Sequence, residues 1–81
     1  MPNLKDIEKE LSVEEINICF MALIKFSDGP ICGPRAAMYY YKLDYTIKIL
    51  EKSFKYVAIP SKTKIKNLIL KLKKLIALAL V

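Results

Sequence analysis

The sequence predicts an all-α protein, a small bundle of three or four helices. The chain has 81 residues, of which 54% are apolar and only two are glycines. A chain of this length forms one domain, and its apolar content is far above that of a disordered chain. Apolar residues recur every three or four positions, which is typical of helices with one buried face. Both glycines and two of the four prolines fall within residues 27–34, which predicts the main loop.

The first part of the chain, residues 1–28, is predicted to be an acidic helical scaffold. A short surface helix of about two turns is predicted over residues 4–10. Ser12 and Glu15 then have the spacing of a capping box, which predicts a helix over residues 13–26. Because this helix is apolar nearly all round, we expect it to lie at the centre of the fold.

The second part of the chain is predicted to form two basic helices. Apolar residues alternate every four and three positions, which predicts one continuous long helix over residues 34–58. Pro60 then interrupts the chain, and Ser61 can cap an amphipathic C-terminal helix over residues 61–81. The apolar stripe of the long helix consists of Ala36, Tyr40, Leu43, Ile47, Leu50, Phe54 and Val57.

An alternative fold divides the long helix in two. The order of helix, turn, short helix, second helix and lysine-rich turn resembles a winged helix-turn-helix with a short C-terminal hairpin. The resemblance implies that Asp44 caps a recognition helix whose polar side chains face the major groove of DNA. The unbroken apolar spacing favours the single long helix instead. The groove-facing residues of the alternative are Tyr45, Lys48 and Lys52, and its wing-tip residues are Lys62 and Lys64.

Positive charge is concentrated in the second part of the chain. The 14 Lys and Arg and the eight Asp and Glu give a net charge of +6. Residues 1–28 carry three lysines and six acids, whereas residues 29–81 carry eleven basic residues and two acids. Beyond Glu51 there are eight lysines and no acid to neutralise them. Such asymmetry indicates a polyanionic partner or an anionic membrane surface, and the simpler alternative is a solvated lysine face.

Lysines and tyrosines on the long helix form the candidate binding site. At about 100° per residue they cluster away from the apolar stripe, where lysines can neutralise phosphates and tyrosines can stack on bases. More lysines begin the final helix, where positive charge opposes the helix dipole unless an anion such as phosphate offsets it. In the alternative, the tyrosines pack on a neighbouring helix. The predicted nucleic-acid-binding residues are Tyr41, Tyr45, Lys48, Lys52, Lys55, Lys62, Lys64 and Lys66.

The end of the chain is the candidate protein interface. An exposed apolar tail is unfavourable, so it must pack on its own domain, on another subunit or at a membrane interface, the last being the least favoured. The excess of apolar residues also favours a homo-oligomer or a protein partner. The predicted interface residues are Leu75, Ile76, Leu78, Leu80 and Val81.

These patterns predict a nucleic-acid-binding protein of a regulatory or architectural kind, which contacts the phosphate backbone through a lysine and tyrosine face. The alternative is a non-catalytic helical interaction subunit of a larger protein or ribonucleoprotein assembly. In that case the apolar C-terminal helix is buried in a subunit interface.

The sequence argues against catalysis. The chain has no histidine, hence no imidazole base, and it has no Gly-rich phosphate loop. Cys19 and Cys32 lack other soft ligands, so we expect reduced core cysteines, no metal and no cofactor. The N-terminus does not resemble a signal peptide, and no apolar stretch is long enough to span a bilayer. An intracellular location, cytoplasmic or in the nucleoid or nucleus, is therefore expected.

Overall fold

The computed structural model describes residues 2–28, Gly33, Ala36, Met38 and 40–79. Within them the bounded elements are a 3-10 helix, Leu4–Glu10, and three α-helices, α1 (Val13–Phe26), α2 (Leu43–Phe54) and α3 (Ile59–Ala79). These residues contain no β-sheet. The prediction of a small all-α bundle is therefore confirmed.

Capping residues determine where the first two helices start. Ser12 Oγ accepts the Glu15 N–H at 3.1 Å, and the Glu15 carboxylate accepts the Ser12 N–H at 2.8 Å. This is the predicted capping box, and α1 has the predicted bounds. Asn3 and Asp6 form a second capping box, which starts the 3-10 helix on the residues predicted for the first helix. Both boxes satisfy backbone N–H groups that have no partner within the helix.

α2 is the central helix, since α1 and α3 both pack against it. Its buried residues cover almost half of its circumference, so it holds a neighbour on each side. Two of them are polar, and each satisfies its hydroxyl within the helix. Thr46 Oγ1 donates to Lys42 O at 3.0 Å, and Ser53 Oγ donates to Leu50 O at 2.9 Å.

α1 lies at the edge of the bundle, so the prediction that it forms the centre is wrong. Val13, Met21 and Ile24 are 77%, 52% and 53% exposed. A helix that packs mainly against one neighbour buries only the side facing that neighbour, whatever the composition of its other side. α1 therefore has more apolar side chains than its contacts with the rest of the protein can bury.

The single helix predicted over residues 34–58 is also wrong. The chain leaves the helical conformation at Tyr41 and Lys42, and Lys42 is extended, with φ −75° and ψ 159°. The N-terminal segment occupies this point, because the Leu43 N–H donates to Pro2 O at 2.9 Å. That hydrogen bond replaces a side-chain cap at the start of α2, which then ends at residue 54.

The break changes which residues of this part of the chain are buried. Ala36, Met38 and Tyr40 are helical, but Ala36 and Tyr40, which the heptad pattern places in the core, are exposed. Met38 and Tyr41 are buried instead. The heptad spacing therefore identifies core positions only from Leu43 onward.

α3 begins two residues before the predicted start at Ser61. Ala58 O accepts the Lys62 N–H at 2.9 Å, so Ala58 is the N-cap residue and the helix begins at Ile59. Pro60 lies in the first turn, where a backbone N–H has no helical partner to lose. Ser61 is therefore not the cap of this helix, and Pro60 helps to begin it.

The winged alternative is excluded. Lys62 and Lys64, its predicted wing tip, lie inside α3 rather than in the turn of a hairpin. Asp44 does not cap α2 either, since Lys42 occupies the N-cap position. The Asp44 carboxylate instead accepts the Tyr45 N–H at 2.8 Å within the first turn.

Large apolar side chains from all these helices meet in one core. Leu4, Leu23, Leu50 and Leu68 come from the four successive helices and are fully enclosed. Cys19 is buried among them, and this burial, together with the nearby glutamate of α1, raises the pKa of its thiol to about 12. The thiol is therefore protonated and packs as a small apolar group, as predicted.

Some predictions lie outside the described residues. This applies to most of the loop over residues 27–34, to Cys32, and to Leu80 and Val81. Gly33 of that loop is described and has φ +147°, a conformation that only glycine adopts readily.

Candidate functional site

The two tyrosines predicted to contact nucleic acid pack against each other. Their rings stack with centroids 5.0 Å apart and an interplanar angle of 13°. Tyr41 is only 6% exposed, and its hydroxyl lies 3.5 Å from Ser27 Oγ. The predicted contact of Tyr41 with a base is therefore wrong, because the break before α2 turns this side chain into the protein. Tyr45 is half-buried, so it offers at most one edge to a ligand.

The predicted lysines of α2 do share one exposed face. Lys48, Lys52 and Lys55 are all exposed and follow one another at spacings of four and three residues, which places them on one side of the helix. None of the three forms an ion pair with an acidic side chain of the described residues. Asp44 and Glu51 border the same face. The face is therefore basic, with acidic groups along one edge.

Two lysines of α3 face α1 and are paired with its acids. Lys71 Nζ lies 2.9 Å from Glu15 Oε1, and Lys64 Nζ lies 3.4 Å from Glu14 Oε1. The Ser12 backbone N–H and then Lys71 lower the pKa of the Glu15 carboxyl. The expectation that no acid neutralises the lysines after residue 51 is therefore wrong. Lys64, a predicted phosphate ligand, is neutralised by the acidic part of the same chain.

Other lysines of α3 face α2. Lys73 Nζ lies 3.9 Å from Glu51 Oε2, and the Lys62 ammonium lies 5.3 Å from the centroid of the Phe54 ring. The aromatic ring attracts the ammonium and so offsets part of the unfavourable placement of Lys62 near the helix start. Lys66, one turn after Lys62, lies on the same side of α3 and is exposed.

These contacts place the lysine faces of α2 and α3 side by side in one patch, which includes the acidic Glu51 at the seam between them. Because Lys73 and Lys62 reach side chains of α2, the side of α3 that carries them adjoins the exposed face of α2. Five lysines of this patch have no acidic partner within 4.0 Å among the described residues. We call this set the basic surface: Lys48, Lys52, Lys55, Lys62 and Lys66.

The predicted interface at the chain end is partly used inside the protein. Leu75 and Ile76 are half-buried and pack against the core. Leu78 is 64% exposed. Leu80 and Val81 lie outside the described residues. The last turns of α3 therefore serve mainly to close the bundle, with one described leucine left at the surface.

Sequence reasoning missed an apolar surface on α1. Beside it lies a groove of about 600 Å³ between α1 and the start of α3, floored by Ala22, Ser53 and Ile65. The signal was available, since a helix that is apolar nearly all round exposes apolar residues wherever it lacks a neighbour. We call this surface the α1 outer face, and it consists of Val13, Glu14, Asn17, Met21, Ile24 and Lys25.

The basic surface offers positive charge, and the α1 outer face offers apolar contact. Within the described part of the chain, no three cysteine or acidic side chains are grouped as metal ligands would be. In the same part, each helix is too short or too polar to cross a bilayer. Comparison with protein-family models, curated proteins and solved structures found no match to this chain.

Proposed function

We propose that the protein binds nucleic acid by contacting the phosphate backbone with the basic surface. The observation that carries the proposal is the set of five lysines on adjoining faces of α2 and α3, none of which has an acidic partner among the described residues. Ammonium groups that are exposed and unpaired release the condensed counterions of a nucleic acid when they bind its phosphates.

The division among the lysines supports this choice of residues. Lys64 and Lys71 are held by glutamates of α1, so a phosphate would have to displace a carboxylate before binding them. Lys48, Lys52 and Lys66 need no such exchange, because they are exposed and have no acidic partner among the described residues. The binding surface is therefore centred on α2 and the adjoining side of α3.

Backbone contact is favoured over reading of bases. Direct reading needs side chains that reach base edges, and stacking needs exposed rings. Tyr41 is buried and Tyr45 is half-buried against it. Tyr40 and Tyr56 are exposed, but each already packs against another aromatic ring of the protein, so lysines remain the dominant contacts. We therefore expect little preference for sequence, as in an architectural protein.

A salt titration tests the proposal. Binding to a fluorescent duplex, a single strand and an RNA hairpin is measured by anisotropy across a series of salt concentrations. If all five lysines contact phosphates of B-form DNA, a log-log plot of affinity against salt has a slope of about −4 to −5. Absence of binding to all three probes at low salt would refute the proposal.

A pair of charge-matched variants locates the contact. K48Q/K52Q removes two charges from the basic surface, and K5Q/K9Q removes two from the 3-10 helix. The first variant should lose about two units of the salt slope, and the second should keep it. Equal losses in both would mean that net charge, not this surface, governs binding.

A further inference from the structure

The α1 outer face has the composition of a contact surface. Val13, Met21 and Ile24 lie on one side of the helix and are each more than half exposed. Asn17 lies between them and is also exposed. A group of exposed apolar side chains on one side of a helix is a candidate contact surface, because leaving it in water is unfavourable.

The charges at the two ends of this face are complementary. Glu14 and Lys25 are both exposed. They lie three helical turns apart, about 16 Å along the axis, and within about 20° of the same side. One end of the face therefore carries a carboxylate, which Lys64 of α3 also contacts, and the other end carries an ammonium group. A second copy placed parallel would set like charges together, whereas an antiparallel copy sets Glu14 against Lys25 twice.

The apolar residues of the face are also arranged symmetrically about the middle of α1. The midpoint between Glu14 and Lys25 falls at the middle of α1, and so do the midpoints between Val13 and Ile24 and between Asn17 and Met21. A two-fold axis through that point sets Val13 against Ile24 of the other copy while it pairs the charges. Such a self-complementary surface is what a two-fold dimer requires.

We propose that the α1 outer face is a dimer interface, in which α1 of a second copy packs antiparallel across a two-fold axis near the middle of the helix. The groove beside this face receives side chains of the second copy. Val13 and Met21 belong to both the face and the groove lining, so one contact covers both. The Glu14 carboxylate contacts Lys64 through Oε1 in an exposed pair, and Oε2 is available for the second copy.

The dimer and the binding of nucleic acid are separate. The basic surface shares no residue with the α1 outer face or with the lining of the groove beside it. Either proposal can therefore fail while the other holds.

A charge-reversal series tests the dimer. The mass of the full chain is followed by light scattering and sedimentation equilibrium over a range of concentrations. K25E sets two acids against each other, and E14K sets two bases against each other, so each should weaken dimerisation by at least about tenfold. The double variant E14K/K25E restores both pairs between copies but loses the Glu14–Lys64 pair within each copy, so it should dimerise more tightly than either single variant.

Two further variants keep the result decisive. K9E makes the same charge change on the 3-10 helix and should leave dimerisation unaltered. M21D places a charge in the middle of the face and should give a monomer with an unaltered circular dichroism spectrum, because Met21 is exposed. An unaltered chain that is monomeric at every concentration, or a dimer insensitive to M21D, or a double variant that dimerises no more tightly than the single variants, would overturn the proposal.

Discussion

α1 and α3 both pack against α2, yet they present different surfaces to solvent. α1 groups its exposed apolar residues Met21 and Ile24 on one side, whereas α3 exposes Leu70 and Leu78 among several exposed lysines. The more apolar of the two outer helices is therefore not the central one, and the central place is taken by α2, which is amphipathic.

The difference shows that the number of neighbours, and not composition, decides which helix is central. α2 buries side chains over a wide arc because it contacts a helix on each side. Among the described helices, α1 packs closely only against α2 and meets α3 chiefly through ion pairs at its start, so apolar residues on its other side stay at the surface and become available to another molecule. The lysines of α3 divide in the same way, into those paired with α1 and those left at the surface.

The largest effect is expected from truncating a leucine in α2. Leu50 is fully buried, and Leu50→Ala should lower the free energy of unfolding by about 2 to 5 kcal/mol, through lost burial and the cavity left behind. Leu70 lies on the exposed side of α3, so Leu70→Ala should change the free energy of unfolding by about 0.5 kcal/mol or less. Urea denaturation measures both. Similar losses of unfolding free energy in the two variants would mean that the Leu50 and Leu70 side chains are equally buried.

A smaller effect is expected at the starts of the outer helices. Ser12 caps α1 with its hydroxyl, so Ser12→Ala should lower the unfolding free energy by about 1 kcal/mol. Ser61 lies within the first turn of α3 and not at its cap, so Ser61→Ala should have almost no effect. A large loss on replacing Ser61 would place the start of α3 where the sequence predicts it.

The contact between α1 and α3 should depend on pH. The pKa of Glu15 is lowered in the folded protein by the Ser12 N–H and by Lys71. Its contribution to stability is therefore complete above the carboxyl's ordinary pKa of 4.5 and is lost as the pH falls through the lower, folded value.

Glu15→Gln should remove this dependence. At neutral pH the variant should lose less than about 1 kcal/mol of unfolding free energy, because the pair is only partly buried. Its stability should then fall less than that of the unaltered chain on acidification below pH 4.5. Melting temperatures measured between neutral and acidic pH test this, and parallel curves for the two proteins would contradict it.

The smallest effect separates the two kinds of lysine on α3. Lys71 pairs with Glu15 at 2.9 Å, so Lys71→Met should lower the unfolding free energy by about 0.5 kcal/mol. Lys74 is exposed and has no acidic partner among the described residues, so Lys74→Met should leave it unaltered. Urea denaturation measures both variants. Equal changes in their unfolding free energy would mean that the ion pair of Lys71 does not contribute to stability.

Local signals were predicted from the sequence most accurately. The bounds of α1 follow from Ser12 and Glu15, because a capping box acts over four consecutive residues and needs no distant partner. The break at Tyr41 and Lys42 could not be found this way. The break depends on a hydrogen bond from Leu43 to Pro2, which is about 40 residues away in the sequence. The residues near the break do not predict this contact.

The candidate site shows the same division. Spacing alone places Lys48, Lys52 and Lys55 together, because the first two lie on one regular helix and the third is its C-cap residue. Spacing could not show that Tyr41 is buried or that Lys64 is paired, since both depend on contacts with α1 or the segment after it.

The sequence by itself determined the all-α class, the bounds of α1, the common face of the α2 lysines and the excess of charge toward the chain end. These properties depend on residues within a few turns of one another, which the helical repeat relates directly. Only the tertiary structure decided that α2 is central, that α1 exposes apolar residues and that the acidic and basic parts of the chain neutralise each other in part. Those outcomes depend on which helix packs beside which, and that choice is made by burial summed over the whole chain.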